Sequence, residues 1–281
     1  MTGMTRSDQS EDPPSSPKFE LALLSDIGAK RENNEDSCGH YIESDDQALI
    51  AVADGVGGYA GGEVASAMAI EIIVTSYREN PLEWGPAKRL VRAAHRANIE
   101  IHHRALAVPG LRRMATTLTA AVVADGVLYA VHVGDSRLYL VRRGRVRQMT
   151  KDHTVVAERV RMGLMKPSRA YDHPEGSALS RSMGHDLVVS LDRITLPLLQ
   201  HDRLILCTDG LYNAVEQSEM ASVTHEFDAA AGSRRLVELA NRRATPDNVT
   251  VATFIMKAAT QANQAQPSWR DRIAGFFGRS R

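Results

Sequence analysis

The sequence predicts an α+β fold: two antiparallel β-sheets forming a sandwich flanked by α-helices on both sides, a four-layer αββα arrangement. Three observations predict it. Short runs rich in branched residues are joined by the hairpin-type dipeptides Asp125-Gly126 and Arg143-Gly144, which favour antiparallel pairing. Two long segments early in the chain carry apolar residues at helical spacing, and a second helical pair precedes the last strand. Each pair needs an apolar sheet face to cover, which places helices outside both sheets.

The elements follow in order. Residues 19–24 and 47–53 read as strands. Residues 62–77 read as a helix with Val64, Ala65, Met68, Ile72 and Ile73 on one face. Residues 87–106 repeat the pattern with Leu90, Val91, Ala94, Ala97 and Ile101, and Pro109-Gly110 ends that helix. Segments 116–123, 127–133 and 137–141 read as strands. Residues 154–185 are irregular with one short helix. Segments 187–194, 203–207 and 248–255 read as strands, with helices over 216–225 and 232–242.

The chain has 281 residues, 43% hydrophobic and 24% charged, enough to bury a core without covalent staples. Lys+Arg and Asp+Glu are 34 each, so the formal net charge is zero. That excludes a nucleic-acid binder relying on a global positive field. Two cysteines, Cys38 and Cys207, exclude a disulfide scaffold and disfavour a Cys-type zinc site. No uncharged apolar stretch approaches ~18 residues, and the opening residues lack the apolar core of a secretory signal. A cytoplasmic monomer is the expectation.

The charge is unevenly spread. Residues 1–17 sum to −2 and are rich in Ser, Pro and Asp, so disorder is expected there. One domain is expected over 18–257. Residues 258–281 sum to +3, beginning with an Ala/Gln/Asn/Thr-rich linker. Beyond it, Trp269, Ile273, Phe276 and Phe277 share one face of a would-be helix, which Gly275 and Gly278 weaken. This tail reads as an amphipathic segment for an anionic membrane surface or a partner groove. A helix packed on its own domain, or plain disorder, accounts for it equally. Arg92, Arg96, Arg104, Arg112 and Arg113 read either as helix solvation or as a docking face for an acidic partner.

The chemistry-bearing residues are carboxylates at the ends of expected strands. Asp54 and Asp209 each follow an apolar run and precede a glycine. Asp135 follows another such run, Asp247 precedes the last strand, and Asp26, Glu35 and Asp36 flank the end of the first. Taken singly, an Asp-Gly is a turn signal. Several carboxylates sharing one site repel, and a cation resolves this. With oxygen donors only, the cation is hard: magnesium or manganese.

Read together, these segments resemble a known family. Ser25-Asp26-Ile27-Gly28, Arg31-Glu32-Asn33-Asn34-Glu35-Asp36 and Asp54-Gly55-Val56-Gly57-Gly58 resemble the opening motifs of the metal-dependent type 2C serine/threonine protein phosphatases. Thr116-Thr117-Leu118, Gly134-Asp135-Ser136-Arg137, Thr150-Lys151-Asp152-His153-Thr154, Cys207-Thr208-Asp209-Gly210-Leu211 and Pro246-Asp247-Asn248-Val249-Thr250 match the rest in order. The resemblance is to the compact bacterial branch and spans about residues 19–257.

That resemblance implies a fold of paired antiparallel sheets flanked by helices, in agreement with the pattern above. It implies two to three Mn2+ or Mg2+ ions. Asp54 would bridge two, Gly55 would offer a backbone carbonyl, and Asp209 and Asp247 would complete the pair. Glu35 and Asp36 would hold metal-bound waters. Asp135, with Asp209, would take a third ion, and Ser177 in the family's flap would touch it. Arg31 would grip the substrate phosphate through its planar fork. The implied reaction is hydrolysis of phosphoserine or phosphothreonine in proteins by a metal-activated water, opposing a bacterial serine/threonine kinase. Two positions depart from the pattern: Tyr59 stands where many bacterial relatives have His, and Ala115 where they often have Gly. No general acid is assigned.

Three rival readings fit the residues less well. A cysteine phosphatase needs an arginine shortly after its thiolate; at the matching offset Cys207 is followed by Asn213 and Cys38 by Ser44. Gly55-Val56-Gly57-Gly58-Tyr59-Ala60 fits a dinucleotide-binding pattern, but the region where its acidic partner should end a second strand ends a helix instead. A regulator that has lost its ligands is opposed by the presence of every expected ligand type.

Overall fold

The computed structural model describes residues 18–56, 61–170 and 173–258. Its first sheet contains, in spatial order, β1 (Phe19–Asp26), β11 (Val249–Met256), β10 (Arg203–Cys207), β7 (Arg137–Arg142) and β8 (Arg145–Gln148). The second contains β2 (Asp36–Ser44), β3 (Gln47–Val56), β5 (Leu118–Ala124), β6 (Val127–Val133) and β9 (Asp192–Pro197), with β4 (Ala115–Thr116) paired to the far end of β3. Every pairing is antiparallel.

Period-two alternation builds three apolar layers. Ile50, Val52, Leu138, Leu204, Leu206, Ala252 and Phe254 point between the sheets. Their neighbours Leu49, Ala51 and Ala53 face α1 (Gly61–Glu79) and α2 (Pro86–Ala107). On the other side Ile205, Cys207, Val249 and Val251 face α5 (Gln217–Glu226) and α6 (Ala229–Arg242). The expected four-layer sandwich is what forms. Each fully buried Leu, Val or Phe contributes about 1.5–3 kcal/mol by leaving water. β11 is buried along its whole length because it is covered on both faces and paired on both edges.

Two strands are absent from the sequence expectation. β2 reads Asp-Ser-Cys-Gly-His-Tyr-Ile-Glu-Ser, a polar edge strand without a clear apolar face. Its Gly39 lets α1 approach: a Cβ there would lie 2.4 Å from Ile70 Cγ2. β8, Arg-Val-Arg-Gln, is a four-residue strand at the edge of the first sheet. The strand expected over 187–194 begins instead at Asp192. Asn98 on α2 donates to the carbonyls of Asp186 and Leu187, which takes that backbone out of the ladder and leaves Leu187 and Val188 exposed. Two further helices are short: α3 (Val155–Arg161) and α4 (Asp209–Tyr212).

The architecture sends several strand ends to one side of the sandwich. β10 ends at Cys207, opposite Arg137 at the start of β7 and Val251 near the start of β11. On the second sheet the start of β2 pairs with the end of β3, Asp36 opposite Asp54.

Candidate metal centre

Asp54 sits near the end of β3 and is held there by backbone alone. Its N–H donates to Thr117 Oγ1 at 2.8 Å, and its carbonyl accepts from the Thr117 N–H and the Thr116 hydroxyl, each at 2.8 Å. Its carboxylate makes no hydrogen bond among the described residues and is left for a ligand. Burial, then the charges of Asp36, Asp209, Asp135 and Asp247, pushes its pKa well above the ordinary carboxylate value.

Gly55 follows, its N–H donating to the Glu35 carbonyl at 3.0 Å. A Cβ on Gly55 would lie 2.1 Å from the Gly62 carbonyl oxygen. A Cβ on Gly62, in the first turn of α1, would lie 2.3 Å from Glu35 Oε2 and 2.8 Å from the Gly55 carbonyl oxygen. Two glycines therefore keep open the space that a carboxylate and a backbone carbonyl share.

Asp36 is fixed by a ring of hydroxyls and an amide. Thr208 Oγ1 donates to Asp36 Oδ2 at 2.7 Å and accepts the Thr250 N–H at 3.0 Å. The Thr250 and Ser25 hydroxyls are 2.7 Å apart, Asn34 Nδ2 donates to Ser25 Oγ, and the Asp36 N–H donates to Asn34 Oδ1. Burial drives the Asp36 pKa up to about 7, against the two threonine hydrogen bonds that lower it.

Asp209 opens α4 immediately after β10. Its Oδ1 is buried with no hydrogen-bond partner, and Oδ2 meets Asn213 Nδ2 at 3.4 Å. Burial, then Asp247, lifts its pKa to about 6, while Arg31 opposes. Asp135 follows β6 and is buried; burial, then Asp209, lifts it to about 7. The preceding Gly134 is clamped to His153, whose Nδ1 accepts the Gly134 N–H and whose N–H meets the Gly134 carbonyl.

Asp247 accepts from Arg31 NH2 at 2.7 Å, and Arg31 Nε donates to the Pro246 carbonyl. Glu35 is also lifted, by burial first, with Arg31 the main opposing charge. Asn248 staples this corner: Oδ1 accepts the Glu35 N–H, and Nδ2 donates to the carbonyls of Ile27 and Asn33.

Thus Asp36, Asp54, Asp209 and Asp247 lie within one another's electrostatic reach, Asp135 interacts with Asp54 and Asp209, and Glu35 with Asp247, with Arg31 and Gly55 beside them. Ser177 stands apart, in an exposed turn with no hydrogen bond to any of these carboxylates. Tyr59 and its glycines fall outside the described residues. Among the described residues, no three His, Cys, Asp or Glu side chains close on a single point. Asp36 is held by Thr208, and one Asp247 oxygen is held by Arg31. The donor set nonetheless suits a hard divalent cation: all oxygen, mutually repelling, with an orphaned buried carboxylate oxygen at Asp209.

Sequence reasoning passed over Thr117, Thr208, His153 and Asn248 as individual actors, although each stands inside a quoted motif. The available signal was a hydroxyl or amide directly beside an acid, as in Thr208-Asp209 and Asp247-Asn248.

A model of the protein phosphatase 2C family matches residues 28–242. The chain belongs to that family. The phosphatase PhpP of Streptococcus pneumoniae is 33% identical over 243 residues, which cover 85% of this chain and 98% of that one. The serine/threonine protein phosphatase PstP of Mycobacterium tuberculosis is 39% identical over 232 residues, 82% of this chain but 43% of that longer one. Among solved structures, the catalytic domain of serine threonine protein phosphatase PstP in complex with two manganese ions superposes with a TM-score of 0.75 at 34% identity, covering 85% of this chain and 99% of that one. The phosphatase 2C fold and the strand-end carboxylates therefore stand in the same chain.

Proposed function

We propose that this chain is a metal-dependent protein phosphatase that hydrolyses phosphoserine and phosphothreonine in proteins. The observation that carries it is the buried carboxylate cluster, with the orphaned Asp209 Oδ1, in a chain of the phosphatase 2C family. Two manganese or magnesium ions would be the resident cofactors, held by Asp54, the Gly55 carbonyl, Asp209 and Asp247, with Asp135 and Asp209 taking a third. Bound there, the cations lower the pKa of water and neutralise phosphoryl charge.

The chain's own residues do the rest. Asp36 and Glu35 accept hydrogen bonds from the water shell; Thr208 and Asn248 fix their positions. Arg31, on an exposed loop with one guanidinium edge on Asp247 and Pro246, presents its remaining N–H groups to the substrate phosphate. Ser177, in an exposed turn apart from the carboxylates, would contribute an oxygen to the third ion. No side chain is assigned as the proton donor to the leaving serine or threonine oxygen; a metal-bound water would suffice.

The enzyme acts in the cytoplasm as a monomer and opposes a bacterial serine/threonine kinase; its relatives here are bacterial phosphatases. Among the described residues no helix is long and apolar enough to cross a membrane. The N-terminal segment 1–17 and the aromatic C-terminal tail fall outside the described residues. Deleting 266–281 should leave turnover of a small phosphoester intact and alter membrane or partner association; unchanged distribution and pull-downs would reject that role.

The deciding experiment is phosphate release from a phosphothreonine peptide with manganese, with chelator, and with Asp209→Asn or Asp247→Asn. Activity surviving chelation or both substitutions would sink the metal mechanism. A phosphotyrosine peptide run in parallel tests the substrate class.

A further inference from the structure

The first sheet has a second end, remote from the carboxylates. There a cavity of about 600 Å3 opens between the β7–β8 turn, the connection into β10 and the last turn of α5. It is lined by Arg142, Arg143, His201, Asp202, Arg203 and His225. The length of β7 separates it from Asp135, roughly 20 Å at the usual strand rise. It is therefore not the place where a substrate phosphate meets the metal centre.

Its charge is unbalanced. Asp202 is the single acid in the lining, and it is already spent. Arg142 grips it bidentately, Nε to Oδ1 at 2.8 Å and NH2 to Oδ2 at 2.6 Å, and the Leu199 N–H adds a third bond. That leaves Arg143 and Arg203 unmatched within the cavity. Glu20 is the acid nearest Arg203 in electrostatic terms, and it is itself paired with Lys257 at 2.7 Å.

Arg203 is the informative member. Its Nε is buried and has no hydrogen-bond partner. Its NH2 reaches the His225 carbonyl only at 3.5 Å, the outer edge of a hydrogen bond. The side chain as a whole is half-buried, and a buried N–H without an acceptor is costly. Burial pulls its pKa below the ordinary arginine value.

The backbone at the cavity mouth is also strained. Arg143 and His201 have φ of 52° and 69°, two of four non-glycine residues with positive φ among the described residues. Arg143 precedes Gly144, φ 73°, in a tight hairpin turn where Asn, Asp or Gly is favoured at the first position. An arginine held there at a cost is a sign of use.

We propose that this cavity binds a small phosphate-bearing anion, with Arg203 and Arg143 gripping the phosphoryl oxygens and His201 and His225 at the rim. A guanidinium fork matches that geometry bidentately. The volume suits a small molecule, and the apolar side chains of Val141 and Leu199 leave room for an organic body beside the phosphate.

The test is calorimetric titration of the full-length chain with inorganic phosphate and, separately, with AMP, in magnesium and again in EDTA. One binding component should survive EDTA for at least one ligand. Phosphate binding at least as tightly as AMP identifies free phosphate as the occupant; tighter AMP shows that the organic body fits too. Arg203→Gln should weaken that component about tenfold. Arg143→Gly should weaken it several-fold while leaving Tm unchanged or higher, because glycine relieves the positive φ. Since Arg143 is an exposed turn residue, its variant decides the matter even if Arg203→Gln fails to fold. No EDTA-resistant binding of either anion, or full affinity in Arg143→Gly, overturns the assignment.

Discussion

Thr208, at the end of the first sheet, donates its hydroxyl to Asp36 of the second sheet at 2.7 Å and accepts the Thr250 N–H at 3.0 Å. One side chain thus couples the two sheets at the carboxylate cluster. It also offsets part of the burial penalty that lifts Asp36 to about 7. Thr208→Val keeps the shape and removes both bonds. It leaves a buried amide and a buried carboxylate short of partners, each costing about 1–3 kcal/mol. The variant should unfold at lower urea and bind manganese more weakly, and Thr208→Ser should recover both. Undiminished manganese affinity in the valine variant would show that Asp36 needs no such support.

Stability of the metal-free protein should depend on pH in an unusual direction. Asp36 and Asp135 are lifted from 3.8 to about 7 and Asp209 to about 6, and burial also raises Asp54 well above the ordinary carboxylate value. Between those values the native state binds more protons than the unfolded chain, so stability falls as pH rises from about 4 through 7. Cation binding to the native state alone reverses this by mass action. In EDTA, Tm should drop from pH 5 to pH 8, and the gain on adding manganese should be largest at pH 8. An equal gain at both pH values would mean that these carboxylates are not what the cation meets.

The sandwich was legible because its central strands alternate cleanly, as Leu204, Ile205, Leu206 and Cys207 do between two cores. The edges were not, because an edge strand needs no continuous apolar face: β2 and β8 carry only scattered apolar residues and are held by pairing. Asp54, Asp135, Asp209 and Asp247 were legible as acids at the ends of apolar runs. The Thr208 and Asn248 contacts were hidden, since each joins residues more than 170 positions apart. Arg31 was reached only through the family resemblance, and its pairing with Asp247 is a fact of the folded chain alone.

Arg31 and Asp247 form an exposed pair, with side chains 46% and 30% accessible, so the pair adds little to stability. Arg31→Ala should shift Tm only slightly. It should lower kcat/KM for a phosphothreonine peptide roughly tenfold or more, the scale of a lost charged hydrogen bond. It also frees Asp247 Oδ2, so manganese affinity should hold or improve. A fall in manganese affinity alongside activity would instead make Arg31 a support for Asp247.

Gly62 offers the sharpest steric test of the centre. An alanine there gains about 1 kcal/mol of helix propensity at the start of α1, yet its Cβ would fall 2.3 Å from Glu35 Oε2 and 2.8 Å from the Gly55 carbonyl oxygen. The flexible Glu35 carboxylate can swing away; the Gly55 carbonyl, fixed by the Thr116 pairing on β4, cannot move as far. Gly62→Ala should therefore weaken manganese binding without unfolding the domain. A double-mutant cycle with Glu35→Ala separates the two contacts. If the loss persists undiminished in the Glu35→Ala background, the Gly55 carbonyl is the group that the new methyl disturbs. If it vanishes, the methyl acts through Glu35. Wild-type manganese affinity in Gly62→Ala would remove both groups from the metal's surroundings.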